Sequence, residues 1–237
     1  DSPIPFQDLP GEKMQEIFRA WGINPDSIVV VYDKGAGMYA TRLMYSLRFW
    51  GVENSALLDG GSTRWTALGN TLSQDIPAVK PGTMTVGAPD SSMSADTDEV
   101  LTAIGDPASV RIIDALGHSY HYGEKIFYSR QGHIPYAISI PRDIYFNPDK
   151  TLKTAEEIKE ILAFHGITPD QKLYVQCGGG IAASMPFFAA HFVAQLPNVK
   201  LYRGSLIAWE YDQRTLPLWQ YDTPYRLRDS AWVNLWA

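Results

Sequence analysis

The stretch Cys177-Gly178-Gly179-Gly180-Ile181-Ala182-Ala183-Ser184 decides the fold, and it contains the only cysteine of the chain. The apolar run before it, from Lys172 to Gln176, predicts a buried strand, and the apolar segment from Met185 to Leu196 predicts a helix. A cysteine between strand and helix, followed by glycines, is typical of a loop whose backbone N–H groups surround the sulfur. Such a loop favours a thiolate nucleophile and stabilises an anion beside it. The alternative is a cysteine used only for packing, which would not need three glycines.

Length and composition limit the possible classes of protein. A chain of 237 residues can form one large domain or two domains of about 120 residues. A net charge of −6 argues against nucleic acid as a partner. One cysteine excludes an internal disulfide and leaves the cellular compartment open. Because no run of about 18 apolar residues occurs, we expect no membrane span.

An internal repeat with an offset of 144 positions organises the chain. Each copy reads as helix, strand, glycine turn, helix, strand and a turn that ends in tryptophan, which predicts a parallel sheet flanked by helices on both faces. Identical residues at this offset, without a gap, are Glu16 and Glu160, Gly22 and Gly166, Pro25 and Pro169, Val31 and Val175, Gly35 and Gly179, Gly60 and Gly204, and Trp65 and Trp209.

The two copies differ at the nucleophile. Asp33 occupies the position equivalent to Cys177, so only the second copy carries a thiol. The second copy also begins earlier, with a strand at 110–114 whose counterpart would precede residue 1. We therefore expect the first domain to be incomplete at its N-terminus, and a preceding segment or a second chain to complete it, because a half-sheet with an open edge is unstable alone.

Composition also predicts the domain boundaries. Residues 1–75 form the C-terminal part of the first domain, and residues 76–98 form a linker rich in proline, glycine, serine and threonine. Residues 99–220 form the second domain, which carries the cysteine, and residues 221–237 form a C-terminal tail.

Several motifs occur in the order found in a known family. In the second copy they are Gly132-His133-Ile134-Pro135-x-Ala137, the loop at Cys177, and the stretch 201–210; in the first copy they are 29–33 and 57–65. In these motifs the chain resembles the rhodanese-type sulfurtransferases in their tandem form. The resemblance implies an α/β fold with two rhodanese-like domains, each a parallel sheet flanked by helices, of which the first is inactive.

The resemblance also implies a chemistry without cofactor or metal. The thiolate of Cys177 takes a sulfur atom from a small anionic donor, thiosulfate or 3-mercaptopyruvate, and becomes a persulfide. A thiol or cyanide acceptor then removes that sulfur. The persulfide would be held by backbone N–H groups of Gly178, Gly179, Gly180, Ile181 and Ala182.

The chain departs from the family pattern where the donor binds. The loop is uncharged, which resembles the mercaptopyruvate type, but Gly179 replaces the serine of that type. The strand end Asp114-Ala115-Leu116 lacks the usual arginine. We expect Arg130 to bind the donor anion, with a solvated surface arginine as the alternative. Arg142 and Arg203 are weaker candidates.

Other functional classes remain open. The missing arginines favour a non-catalytic sulfur carrier or binding module, whereas the intact thiol loop favours an enzyme. A phosphatase of similar architecture would need an arginine in the loop, and residues 177–184 contain none. A metal site at His118, His121 and His133 is disfavoured, because no cysteine or acidic residue has matching spacing.

Overall fold

The computed structural model of the protein describes residues 4–35, 37–221, 225–228 and 231–234. The helices are α1 (Gly11–Ala20), α2 (Met38–Phe49), α3 (Gly61–Ala67), α4 (Thr97–Ala103), α5 (His118–His121), α6 (Ala155–Phe164), α7 (Ser184–Phe188) and α8 (Ser205–Tyr211). The strands are β1 (Val29–Val31), β2 (Ser55–Leu57), β3 (Ser94–Ala95), β4 (Val110–Asp114), β5 (Ala137–Ser139), β6 (Lys172–Gln176), β7 (Val199–Tyr202), β8 (Tyr225–Arg228) and β9 (Ala231–Asn234). Short 3-10 helices occupy Ser91–Met93 and Arg142–Tyr145, and a π-helical turn, Ala189–Val193, extends α7. None of the described helices is both long enough and apolar enough to cross a membrane.

Five parallel strands form the larger sheet, in the order β3-β7-β6-β4-β5. The apolar run from Lys172 to Gln176 forms β6, as predicted, and its last four residues are buried because elements pack on both faces of the sheet. The carboxyl ends of parallel strands share one edge, where Asp114 pairs with Gln176. Cys177 follows Gln176, so its loop begins at this edge, where ligands bind in open α/β sheets.

The smaller sheet repeats part of the larger one. Strands β1 and β2 pair in parallel, and their register is that of β6 and β7 displaced by 144 positions. The α/β fold with a parallel-sheet core flanked by helices is confirmed, and the first unit holds counterparts of β6 and β7 among its described residues. The equivalent pairs are Val29–Ser55 and Leu173–Val199, Val30–Ala56 and Tyr174–Lys200, and Val31–Leu57 and Val175–Leu201.

The predicted domain boundaries stay predictions, and the C-terminal tail is described only in part. Residues 222–224, 229–230 and 235–237 of the predicted tail lie outside the described residues, as does Ala36 in the first loop. In its described part, the backbone of the tail forms two strands, β8 and β9, which pair antiparallel.

One face of the smaller sheet is open in the described part of the chain. Val30 and Tyr32 of this face are exposed. Together with Leu58, Trp65 and Leu72 they line a groove of about 410 Å³. The first unit therefore presents an apolar surface on the side of β1.

Helices α2 and α7 join the two units. Thr41 of α2 and Ser184 of α7 share a buried hydrogen bond between their hydroxyl groups, with an O···O distance of 2.8 Å. The ring of Phe187 meets that of Tyr45 edge-on, with centroids 5.2 Å apart. Buried residues of both units belong to one hydrophobic cluster, so the contact is part of a shared core.

We predict that Phe187→Ala lowers the free energy of unfolding by about 3–5 kcal/mol, because it opens a cavity between the units. Phe164→Ala is the control, because Phe164 is 87% exposed, and it should change stability by no more than about 0.5 kcal/mol. Urea denaturation followed by tryptophan fluorescence measures both. Equal stability of the two variants would contradict a shared core.

Candidate active site

Cys177 lies at the start of a tight loop and is only 2% exposed. The backbone N–H of Gly180 donates a hydrogen bond to its Sγ atom, at 3.2 Å. Gly180 has a φ of +80°, and a Cβ atom at this position would overlap the carbonyl oxygen of Arg203. The position therefore requires glycine, because only glycine combines this left-handed conformation with so close an approach of the backbone.

The start of α8 holds the same loop from the other side. The N–H groups of Leu206 and Ile207 donate to the carbonyl oxygens of Cys177 and Gly178, at 3.1 and 2.9 Å. The hydroxyl of Ser205 accepts a bond from the N–H of Cys177, at 3.1 Å, and donates to the carbonyl of Tyr202, at 2.8 Å. The position of the thiol is thus set by the backbone of a second element as well as by its own loop.

The other predicted loop residues complete the turn into α7. The carbonyl oxygens of Ile181 and Ala182 accept bonds from the N–H groups of Ser184 and Met185. The loop is therefore continuous with the first turn of α7, as its glycine-rich sequence predicts. A thiolate in this position would accept the bond from the N–H of Gly180, and such a donor stabilises a nucleophilic sulfur.

The first unit carries the same loop with a carboxylate in place of the thiol. Asp33 Oδ1 accepts bonds from the N–H groups of Gly35 and Gly37, at 2.7 and 3.1 Å. Its Oδ2 atom accepts a bond from Ala40 in α2, at 3.3 Å. Its backbone carbonyl accepts from Ser62, which matches the bond between Leu206 and Cys177. In the first unit, the backbone N–H groups of the loop are thus occupied by side-chain oxygen atoms of the protein itself.

The three arginines considered for donor binding all contact protein groups. Arg130 Nη1 donates to the carbonyl oxygen of Leu216, at 2.9 Å, while its Nη2 is buried and has no hydrogen-bond partner among the described residues. Arg142 contacts the sulfur of Met38 and the carboxylate of Asp143. Arg203 is bound by Asp8, as described below. The role of Arg130 as an anion clamp therefore stays a prediction.

Two aromatic side chains, which the motifs did not single out, contact the loop. The ring of Phe127 fills the space that a side chain at position 178 would occupy. The ring of Phe6 lies 2.8 Å from the place where a Cβ atom of residue 179 would be. The run of three glycines is the sequence signal for such close neighbours, but it does not identify them.

A buried polar cluster lies at the same edge of the sheet, next to the loop. Asp114 Oδ2 is 2.8 Å from Nδ1 of His121, and the Nδ1–H of His133 donates to the carbonyl of His121 at 2.6 Å. The rings of the two histidines stack with centroids 3.7 Å apart. Burial, with the nearby His121, lowers the pKa of His133 to about 4. His133 is therefore neutral at pH 7, and its single ring proton forms the hydrogen bond to the carbonyl oxygen of His121.

The histidines predicted as a disfavoured metal site have other partners. His118 Nδ1 is 2.8 Å from the hydroxyl of Ser139, and His121 faces Asp114. No group of three or more histidine, cysteine or acidic side chains that could hold a metal ion occurs in the part of the chain that the structure describes.

Comparison with known proteins identifies the family. A family model described as "Rhodanese-like domain" matches residues 96–212. A thiosulfate sulfurtransferase of Azotobacter vinelandii is 30% identical over 207 residues, which cover 87% of this chain and 75% of that protein. The chain belongs to the rhodanese-type sulfurtransferase family. The resemblance inferred from the motifs is thereby confirmed.

Other rhodanese relatives have different names. The 3-mercaptopyruvate sulfurtransferase of Escherichia coli K12 is 29% identical over 211 residues, covering 88% of this chain and 74% of that protein. The sulfur carrier protein TtuD of Thermus thermophilus is 28% identical over 217 residues, covering 87% and 76%. Relatives with sulfurtransferase names support a sulfurtransferase function for this chain.

Solved structures agree with the fold. The anaerobic ergothioneine biosynthesis enzyme from Chlorobium limicola, in complex with trimethyl histidine, matches with a TM-score of 0.81 at 24% identity. The match covers 94% of this chain, which spans 58% of the length of that enzyme chain. At this identity the likeness concerns the rhodanese fold alone.

We predict that Asp33→Ala lowers the free energy of unfolding by about 1–3 kcal/mol, because it leaves backbone donors without an acceptor. Asp33→Asn keeps one acceptor oxygen and should lose less. Urea denaturation measures both values, and alkylation of Cys177 at the wild-type rate serves as a control for the second loop. An Asp33→Ala variant as stable as the wild type would show that the carboxylate does not stabilise the first loop.

We also predict a contribution of His133 to acid sensitivity. The folded pKa, about 4, lies below the unfolded value of about 6.5, so the unfolded chain binds a proton that the folded chain excludes. This contribution to stability is complete above about pH 6.5 and is lost as the pH falls to about 4, with a total on the order of 3 kcal/mol. His133→Asn keeps a donor to the His121 carbonyl but removes the titration. As the pH falls from about 6.5 to about 4, the free energy of unfolding of the variant, measured by urea denaturation, should therefore decrease less than that of the wild type. Equal decreases would show that His133 does not contribute to the acid sensitivity.

Proposed function

We propose that the chain transfers sulfane sulfur from thiosulfate or 3-mercaptopyruvate to a thiophilic acceptor through a persulfide on Cys177. The observation that carries the proposal is the hydrogen bond from the N–H of Gly180 to Sγ inside a loop held by α8. A buried sulfur with a backbone donor is suited to a thiolate and to the persulfide anion that replaces it.

The first half-reaction is a displacement at sulfur. The Cys177 thiolate attacks the outer sulfur of thiosulfate, a new S–S bond forms, and sulfite leaves with the electron pair of the broken S–S bond. With 3-mercaptopyruvate the C–S bond breaks instead, and the thiol proton ends on the methyl carbon of pyruvate. In both cases the total charge is unchanged.

The second half-reaction restores the thiolate. Cyanide attacks the outer sulfur of the persulfide, and thiocyanate and the Cys177 thiolate result; an acceptor thiolate would take the same sulfur as its own persulfide. The N–H groups of the loop from Gly178 to Ala182 would stabilise the charge on sulfur in both directions, because they are fixed before the reaction.

Arg130 is the proposed contact for the donor anion. Its backbone N–H donates to Glu210, and one guanidinium nitrogen donates to Leu216, which holds the side chain in place. Nη2 remains as a buried donor without a partner among the described residues. A sulfonate or carboxylate oxygen would satisfy that nitrogen.

Intact mass spectrometry tests the proposal. We expect incubation with thiosulfate or 3-mercaptopyruvate to add the mass of one sulfur atom, and cyanide to remove it with release of thiocyanate. Cys177→Ser should gain no sulfur. If neither donor changes the mass while iodoacetamide still alkylates Cys177, the proposed transfer from these donors is wrong.

A second candidate is a non-catalytic sulfur carrier. Two observations favour it: the thiol is almost fully buried, and the arginines considered for the donor contact protein groups. The similarity to the sulfur carrier TtuD is consistent with this reading. A carrier would accept one sulfur atom on Cys177 in the mass experiment. During prolonged incubation with donor and cyanide, however, it would release less than one thiocyanate per protein chain.

A further inference from the structure

We propose that Phe127, supported by Phe6, determines donor specificity, so that the site prefers sulfur donors with an aromatic leaving group. This inference rests on the proposed persulfide chemistry and names the substrate class. Both rings border the loop that carries the reactive sulfur. In the proposed reaction, a leaving group attached to the transferred sulfur would lie beside these rings.

Phe127 is held against the loop by α8. It lies in a hairpin in which Ile126 and Gln131 form an antiparallel bridge. Glu210 of α8 accepts bonds from the N–H and hydroxyl of Ser129 and from the N–H of Arg130, at 2.8, 2.5 and 2.7 Å. Because α8 also binds the Cys177 loop, the hairpin and the loop share one support.

The contact between Phe127 and the loop depends on a missing side chain. The outer edge of the ring, from Cε1 to Cε2, fills the space beside Gly178 where a Cβ atom would be. The ring also meets Tyr120 edge-on, with centroids 5.9 Å apart. Phe127 is nevertheless 41% exposed, so part of its ring is available to a ligand. An arriving aromatic group can thus stack or pack edge-on against a ring that is already in place.

Phe6 borders the neighbouring glycine and is fixed by its own segment. Its carbonyl oxygen accepts a bond from Arg42, at 3.0 Å. The side chain of Gln7 donates to the carbonyl of Arg203, at 3.2 Å, directly beside the loop. The Phe6 ring lies next to Gly179 and is 57% exposed. The two phenyl rings therefore flank two successive residues of the loop.

Charge pairing beside these rings reduces the positive charge that a donor anion would meet there. The carboxylate of Asp8, whose side chain is 5% exposed, contacts Arg203 at 3.0 Å and Arg42 at 3.3 Å. It also accepts a bond from the hydroxyl of Ser46. Arg203 stacks on Phe49 and donates to Ser94 as well. Asp8 thus offsets part of the positive charge of both guanidinium groups, although Nη1 of Arg42 is buried without a hydrogen-bond partner among the described residues. The two phenyl rings offer a donor an apolar contact beside these pairs.

A matched pair of donors tests the inference. Benzenethiosulfonate and methanethiosulfonate have the same charge and the same reacting group, and each would give the Cys177 persulfide and a sulfinate, which leaves with the electron pair of the broken S–S bond. Thiocyanate formation at saturating cyanide gives kcat/KM for each donor. To correct for intrinsic reactivity, the ratio of the two kcat/KM values is divided by the ratio of the rate constants for the uncatalysed reactions of the two donors with cyanide.

We expect the corrected ratio to favour the aromatic donor by about tenfold or more in the wild type. Phe127→Ala should reduce this preference at least about fivefold. Phe127→Leu keeps an apolar side chain in contact with the loop, so it should remain folded even if the alanine variant does not, and it should have an intermediate effect. Phe6→Ala should reduce the preference less than Phe127→Ala. Phe164→Ala is the matched control and should leave the ratio unchanged, because that exposed phenylalanine lies at the end of α6.

The donor preference and the persulfide mechanism can be overturned separately. A wild-type ratio near one that Phe127→Ala does not change, with normal Cys177-dependent turnover, would overturn the specificity inference and leave the persulfide mechanism intact. Absence of any Cys177-dependent turnover with the two thiosulfonates, with thiosulfate and with 3-mercaptopyruvate would overturn both.

Discussion

The structure depends on one requirement: a sulfur atom buried at the edge of a parallel sheet must find its polar partners in the backbone. Gly180 supplies the N–H that reaches Sγ, and it can do so only in a left-handed conformation beside the carbonyl of Arg203. That conformation explains why residue 180 is a glycine. The missing side chains of Gly178 and Gly179 leave room for the rings of Phe127 and Phe6, so the same run of glycines shapes both the loop and the surface around it.

The duplicated loop provides an internal comparison. Asp33 and Cys177 occupy equivalent positions, and both units bind the group at that position through the N–H of a glycine. In the first unit a carboxylate fills the loop permanently. In the second unit the sulfur of Cys177 fills it, and the proposed reaction adds and removes an outer sulfur atom there. A single difference of residue type therefore separates the first loop from the one that carries the proposed nucleophile, while the register of the strands is the same in both.

Much of this arrangement can be predicted from the sequence. The repeat, the strand from Lys172 to Gln176 and the position of the loop follow from apolar runs and glycines, which report local structure. The helix expected from Met185 to Leu196 instead divides into α7 and a π-helical turn. Strand β3 lies within the segment predicted as linker, because a strand of only two residues gives no periodic signal in the sequence. Contacts between distant segments, such as those of Phe6 and Phe127 with the loop, depend on tertiary packing and leave no pattern in the chain.

The bonds between the loop and α8 have a consequence for local opening. The amide hydrogens of Leu206 and Ile207 are bound to the loop that carries Cys177, and Glu210 of the same helix binds the hairpin of Phe127. Fraying of α8 would therefore release the loop and its aromatic border together, as one cooperative unit. In hydrogen exchange, the protection of these two amides reports the fraction of molecules in which the site is assembled, even though neither residue carries the reacting group.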